Sequence, residues 1–183
     1  MYEESAGVPM ILAGADVPAG KLVGTPASHV DVLPLALQCV GVDEPALRAG
    51  CLGTSLLELA REPARDRAVL SEYHTVGSKS AVFMVRDARY KYVHYLDGYP
   101  PQLFDMAGDA EELNDLGADP ASRAIVRSME AKLRQFCDPQ EVDRRAKQRQ
   151  MALLEHFGGY EAAMKTGDLG YTPAPGSRPD FNP

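Results

Sequence analysis

A chain of 183 residues, 45% hydrophobic and 25% charged, is long enough for one ordinary domain with a buried core and too apolar to be disordered. Its formal net charge of -7 argues against a fold-wide surface for nucleic acid or anionic membrane. No stretch approaches the roughly 20 apolar residues that span a bilayer. The start, Met1-Tyr2-Glu3-Glu4-Ser5, carries neither a basic region nor a long apolar one, so no signal peptide is read. Cys39, Cys51 and Cys137 are odd in number and widely spaced, which fits neither a disulfide framework nor a zinc cluster. A reducing compartment, the cytoplasm, is expected.

Val8-Pro9-Met10-Ile11-Leu12, closed by Gly14, reads as a short strand buried on both faces, of the kind found inside a larger parallel sheet. Only seven residues precede it, which suggests the end of a larger α/β core. Ser28-His29-Val30-Asp31 has the spacing of a helix capping box. A helix is expected from about Pro34, with Leu33, Leu37 and Val40 on its buried stripe and Gly41 as its stop.

From Ala68 the apolar period changes to two. Val69 to Tyr73 reads as one strand, Ala81 to Arg86 with Arg89 to Tyr95 as a hairpin, and Gln102 to Met106 as a further strand. Together they predict an antiparallel sheet of about four strands. The turn at Asp87-Ala88 lacks the favoured Asp-Gly pair, so either Ala88 is strained or the loop is one residue longer. Asp119-Pro120 then signals a helix start, and Ile125, Met129, Leu133 and Phe136 recur at helical spacing to cover one sheet face. Asp138-Pro139 with Glu141 repeats the signal. The second helix carries Arg144, Arg145, Lys147 and Arg149, with Val142, Ala146, Leu153 and Leu154 on its apolar side, and stops at Gly158-Gly159. A Pro-rich tail follows from Thr172 to Pro183. The expected division is 1–67 as the remnant of an α/β core, 68–137 as a sheet-and-helix subdomain, and 138–183 as a helical arm and tail.

No Gly-rich phosphate loop, Cys-x-x-Cys pair, His-Glu-x-x-His helix or Gly-x-Ser-x-Gly elbow occurs. Asp16, Asp31 and Asp43 lie in separate loops without ligand spacing. Glu72-Tyr73-His74 reads as a strand end with a loop histidine ahead of Gly77-Ser78. His29 reads as a cap-side residue, His94 as aromatic packing beside Tyr90 and Tyr92, and His156 as a favourable cation at a helix C-terminus. The basic run on the last helix sits among Glu141 and Asp143 and reads as a solvated face or an oligomer contact, not a nucleic-acid site.

Several segments together resemble the back end of the sulfatase family, within the alkaline-phosphatase-like superfamily. They are Tyr2 to Ile11, Ser28 to Pro34, Gly53-Thr54-Ser55-Leu56-Leu57, Arg89 to Val93, Gln102-Leu103-Phe104-Asp105 and Glu112-Leu113-Asn114-Asp115-Leu116. Their order over residues 2 to 136 carries the resemblance. It implies an α/β (α+β) fold, the end of a sulfatase-like core followed by a small antiparallel sheet, a packed helix and a helical arm. It implies hydrolysis of small-molecule sulfate monoesters by the parent enzyme, with calcium, a formylglycine nucleophile, and assembly into an oligomer through residues 138–183. The nucleophile and metal ligands of that family have no counterpart here. Cys137-Asp138-Pro139-Gln140-Glu141 mimics the formylglycine motif but has Glu141 where the family has Arg. The chain alone is therefore expected to be inactive, with Glu72 and His74 as substrate-side residues. A phosphonate or phosphate ester hydrolase, or a non-catalytic binding or assembly module, remains open on the residues alone.

Overall fold

The computed structural model describes residues 1–42, 47, 49–74, 80–96 and 98–165. Two compact units divide between Pro139 and Gln140. In the first, the chain passes through a short helix α1 (Glu3–Ala6), a 3-10 turn (His29–Asp31), α2 (Val32–Cys39) and α3 (Leu56–Arg61). Strands β1 (Val69–Tyr73), β2 (Val82–Arg86), β3 (Tyr90–Tyr95) and β4 (Gln102–Asp105) follow, and then α4 (Arg123–Phe136). The second unit holds nearly all of α5 (Pro139–His156), and α6 (Tyr160–Lys165).

The four strands form an antiparallel meander in the order β1-β2-β3-β4, as their alternating pattern predicts. Pairing of Leu70 with Val85, Val85 with Tyr92, and Tyr92 with Leu103 puts these residues on one face. Helix α4 lies across β2 and β3, and Met129 and Leu133 are fully buried, as are Phe83, Val85, Tyr92 and Leu103 of the strands. The lead into α4 follows its sequence: a 3-10 turn (Pro120–Ser122) precedes the helix, the Asp119 carboxylate accepts from the Ala121 N–H at 3.0 Å, and Pro120 takes the first position of the turn. Phe136, expected on the same buried stripe, is exposed in the last turn. The stripe outruns the two strands beneath it.

The β2–β3 connection takes the longer of the two expected forms. Asp87, Ala88 and Arg89 separate the strands, and none of them adopts a positive φ. One Asp87 carboxylate oxygen accepts from the Arg89 and Tyr90 N–H groups at 2.9 and 2.7 Å, while the other accepts from Lys132 at 2.6 Å. An Asx-type turn thus replaces the glycine turn and ties α4 to the hairpin.

Two expectations fail in the first third of the chain. Val8–Leu12 is not a strand: it carries no regular structure, and Ile11 is 87% exposed. A strand exists only by pairing, and no described residue offers this segment a neighbour. Helix α2 forms and Gly41 follows it at φ 70°, but Leu33 and Val40 are exposed and Leu37 is only half-buried. Its contact is with α3, whose Leu56, Leu57, Leu59 and Ala60 are buried. The remaining face of α2 has nothing packed on it among the described residues.

In the second unit, Val142, Ala146 and Leu154 are half-buried but Leu153 is exposed. Helix α5 closes as the glycine pair predicts. The Gly158 N–H reaches the Glu155 carbonyl at 3.0 Å and the Gly159 N–H reaches Leu154 at 2.9 Å. With both glycines at positive φ, this is a Schellman stop. Arg144 grips Glu141 at 2.6 Å and Lys147 meets Asp143 at 2.8 Å, so half of the basic run is neutralised along its own helix. The Pro-rich tail lies outside the described residues. Among those described, no helix is long and apolar enough to cross a membrane.

Candidate functional site

The end of β1 places Glu72 opposite Phe83, on the α4 face of the sheet. The His74 imidazole stands edge-on to the Phe83 ring at 5.4 Å, and its Nε2 lies 3.6 Å from Glu72 Oε2. The His74 side chain is 14% exposed and that of Glu72 45%. The two expected substrate-side residues are thus brought together, one nearly covered and one open. The loop after them, with Gly77 and Ser78, lies outside the described residues.

Cys137, at the C-cap of α4, feels the same corner. Burial pushes its thiol up, and the Glu72 charge adds to the effect. A protonated, half-buried thiol is a poor nucleophile, in keeping with the missing Arg of the motif. His94 is half-buried, with Nδ1 3.3 Å from the Tyr92 hydroxyl. Burial and the nearby Arg134 guanidinium lower its affinity for a proton, so it packs as a neutral ring. His156 stands edge-on to Phe157 in the last turn of α5, and His29 is exposed.

The opposite sheet face carries a charged clamp that the sequence reading passed over. Lys91 is completely buried, 2.7 Å from Glu112 Oε1 and 3.1 Å from Glu3 Oε1. Glu112 Oε2 also accepts from the Glu3 N–H at 2.6 Å, and the Tyr2 ring packs 5.8 Å from Phe104. Helix α1 is thereby fixed on β3 and β4. Glu112 sits at φ 55°, a conformation unfavourable for its residue type. The following residues pin the same turn: Asp115 accepts from Leu103 at 3.0 Å and from Gly117 at 2.8 Å. A signal was available. Lys91 shares a strand face with the apolar Val93, and a buried lysine requires a carboxylate.

A second buried pair organises the loops before the sheet. Asp31, fully buried, receives both Arg67 terminal nitrogens at 2.8 and 2.6 Å, the Ser28 N–H at 2.8 Å and the Thr54 N–H at 2.8 Å. Gly53 is required beside it, because a Cβ there would stand 2.2 Å from the Val30 carbonyl oxygen. Ser55 caps α3 and bonds to Gln38 of α2. The Gly53–Leu57 stretch is therefore an architectural joint. Between the loops and the sheet opens a groove of about 1150 Å³, with Val8, Met10, Leu22 and Val23 on one side and Val69 and Met84 on the other.

Among the described residues, no group of three or more His, Cys, Asp or Glu side chains could hold a metal ion. The donor set of the described residues does not fit a calcium site. The described chemistry is the Glu72–His74 pair at the end of β1 and two buried ion-pair clamps, around Lys91 and around Asp31.

Comparison with known proteins gives the family. The family described as N-sulphoglucosamine sulphohydrolase, C-terminal, matches residues 1–140. The chain is 34% identical over 145 residues to Arylsulfatase K of Mus musculus, covering 73% of this chain and 25% of that protein. It is likewise 34% identical over 126 residues to Arylsulfatase K of Danio rerio, covering 64% and 24%. The solved structure of a 2-O GAG sulfatase superposes with a TM-score of 0.50 at 32% identity, over 58% of this chain and 23% of that one. The chain belongs to the sulfatase family, as its C-terminal portion. It spans about a quarter of the length of the relatives it matches.

Proposed function

We propose that this chain is the C-terminal quarter of a sulfatase that hydrolyses small-molecule sulfate monoesters. The family match over residues 1–140, shared with relatives named as sulfatases, carries the reading. Sulfate-ester cleavage needs an activated oxygen nucleophile, a cation against the sulfate oxygens and an acid for the leaving alcohol. Calcium and formylglycine belong to the upstream part of the parent, and this chain supplies the sheet that braces that part. Residues 1–67 act as the end of its core, 68–137 as the bracing subdomain, and 138–183 as an arm. With three unpaired cysteines, the protein is assigned to the cytoplasm.

Within this reading Glu72 and His74 contact the organic part of the substrate. The purified chain alone is expected to show no turnover of an aryl sulfate, while the full-length parent turns it over. In the parent, His74→Ala is expected to lower kcat/KM about 3- to 10-fold, the loss of one hydrogen bond, chiefly through KM. Unchanged kinetics would remove His74 from the site. A parent that cleaves phosphonate or phosphate esters and not sulfates would decide for the related reaction.

The arm is an assembly element that pairs with a second copy of the parent: Met151, Leu153, Phe157 and Tyr160 are all exposed and leave apolar surface without cover. Deleting residues 138–183 from the parent is expected to lower its mass in light scattering to that of a smaller assembly. The same subunit number with and without the arm would overturn that assignment.

A further inference from the structure

We propose that His94 is a proton-operated latch: its neutral ring lets the last turn of α4 close on the sheet, and protonation of the ring in mildly acidic solution releases that turn. The latch belongs to the sheet-and-helix part of the chain and does not depend on the sulfatase reading.

His94 stands near the end of β3, on the face that α4 covers. The register runs from Glu72 through Phe83 to His94 across three strands, and α4 lies over β2 and β3. Nδ1 of the ring is 3.3 Å from the Tyr92 hydroxyl. Nε2 is buried and meets no hydrogen-bond partner among the described residues. A neutral imidazole suits such a place, because it carries a single N–H and one nitrogen can stay bare. An imidazolium carries two N–H groups and a charge, and a buried donor without an acceptor is costly.

The groups that face the ring oppose the proton on balance. On α4, the Glu130 carboxylate favours it, but that side chain is 40% exposed and lies 3.6 Å from Arg134. Burial first, and then the Arg134 guanidinium, outweigh Glu130 and hold His94 below the usual imidazole range. On β3, burial pushes the Tyr92 phenol up to about 12, so it offers a hydroxyl and no negative charge. On β2, the residue opposite is the fully buried Phe83. On β1, Glu72 stands one strand further off and lies 3.6 Å from His74. The remaining charges are engaged elsewhere: Lys132 with Asp87 at 2.6 Å, Asp138 with Arg134 at 3.3 Å, and Asp105 of β4 with Arg89 at 2.6 Å. The Cys137 thiol, pushed up by burial, stays neutral.

Folding thus lowers the affinity of His94 for a proton. Stability that depends on such a group is whole above its unfolded value of about 6.5 and is lost as pH falls below that value towards the folded one. The last turn of α4 is the part that yields, because it carries Arg134, the cation that repels the imidazolium, and ends on the exposed Phe136. Met129 and Leu133, fully buried, hold the helix upstream of it. Release opens the corner in which Cys137 and Glu72 sit.

Urea unfolding and hydrogen exchange of this chain, set beside a His94→Phe variant at matched pH, test the latch. Phenylalanine keeps a planar ring in the same place and takes no proton. Between about pH 7 and about pH 5, wild type is expected to lose at least about 3-fold more of its folded-to-unfolded ratio than the variant, since one excluded proton allows at most about a tenfold loss per pH unit. At about pH 5 the amides of residues 134–137 are expected to exchange about 10-fold faster in wild type than in the variant, and alike in the two proteins at about pH 7.5. A parallel loss of stability in the two proteins overturns the latch. So does a greater loss in wild type with no difference in exchange at residues 134–137, because the proton then acts without releasing the turn. If His94→Phe does not fold, the nuclear magnetic resonance titration of the wild-type His94 ring decides: a midpoint below about 6.5 supports the latch, and one at or above that value overturns it.

Discussion

Lys91→Met is expected to destabilise the chain by about 3–5 kcal/mol, the cost of leaving a buried charge without its partner. The apparent melting midpoint should fall by on the order of 10 °C. Methionine keeps an unbranched apolar stem like that of lysine, so the change chiefly removes the charge. The Glu112 side chain is 1% exposed and has its Oε1 2.7 Å from the lysine nitrogen. Without that nitrogen, its carboxylate keeps only the Glu3 N–H. Amide exchange across Tyr2–Gly7 should rise with the loss, because α1 is tied to the sheet through the same cluster. Removing the second charge as well, in a Lys91→Met and Glu112→Gln pair, should recover a large part of the stability, since a neutral amide is far cheaper to bury than an unpaired carboxylate. A midpoint unchanged by Lys91→Met would show that the clamp does not hold α1.

The clamp also shows where the sequence was legible and where it was not. The meander could be read because alternation in Val82–Arg86 and Tyr90–Tyr95 reports burial directly, and each strand pairs with its neighbour in the chain. The lead into α4 and the stop of α5 could be read because capping is a local matter between residues such as Asp119 and Ala121, or Gly159 and Leu154. Val8–Leu12 misled for the opposite reason. Its apolar pattern reports what the segment is built to touch, not what lies beside it in this chain. The same holds for Leu33 and Val40 on α2, whose stripe is real and uncovered.

Ion pairs were the least legible feature. Glu3, Lys91 and Glu112 lie as much as 109 residues apart, and no local spacing connects them. Asp31 was read only as a capping residue of Ser28, a bond that exists, while three further bonds to Thr54 and Arg67 stayed hidden. The Glu72 and His74 pair was found because both stand at one strand end. The segments that resemble the sulfatase family prove to be mainly joints: Gly53 permits a close approach, Asp115 closes a turn, and Lys91 neutralises a buried cluster. Such positions are set by architecture.

Asp31→Ala is expected to cost as much as the loss of Lys91, about 3–5 kcal/mol, and to act on a different part of the fold. The substitution removes four hydrogen bonds at once. It leaves the Arg67 guanidinium, 16% exposed as a side chain, facing only the Pro26 carbonyl, and frees the Ser28 and Thr54 N–H groups that join the 3-10 turn to α3. Burial alone would push the Asp31 carboxyl up, but the Arg67 guanidinium and the Ser28 and Thr54 N–H groups outweigh it and hold the group below the usual carboxylate range. A carboxyl whose proton affinity is lowered by folding contributes stability that is fully present above the unfolded value of about 4 and is lost as pH falls through the folded one. Wild type should therefore lose stability on acidification from about pH 4 downward, and Asp31→Ala should lack that part of the acid dependence while being weaker at neutral pH. Urea midpoints measured between neutral and acidic pH test both statements together. If the two proteins lose stability in parallel below about pH 4, the Asp31 carboxylate is not the group that titrates, and the joint between the loops and α3 is held by packing alone.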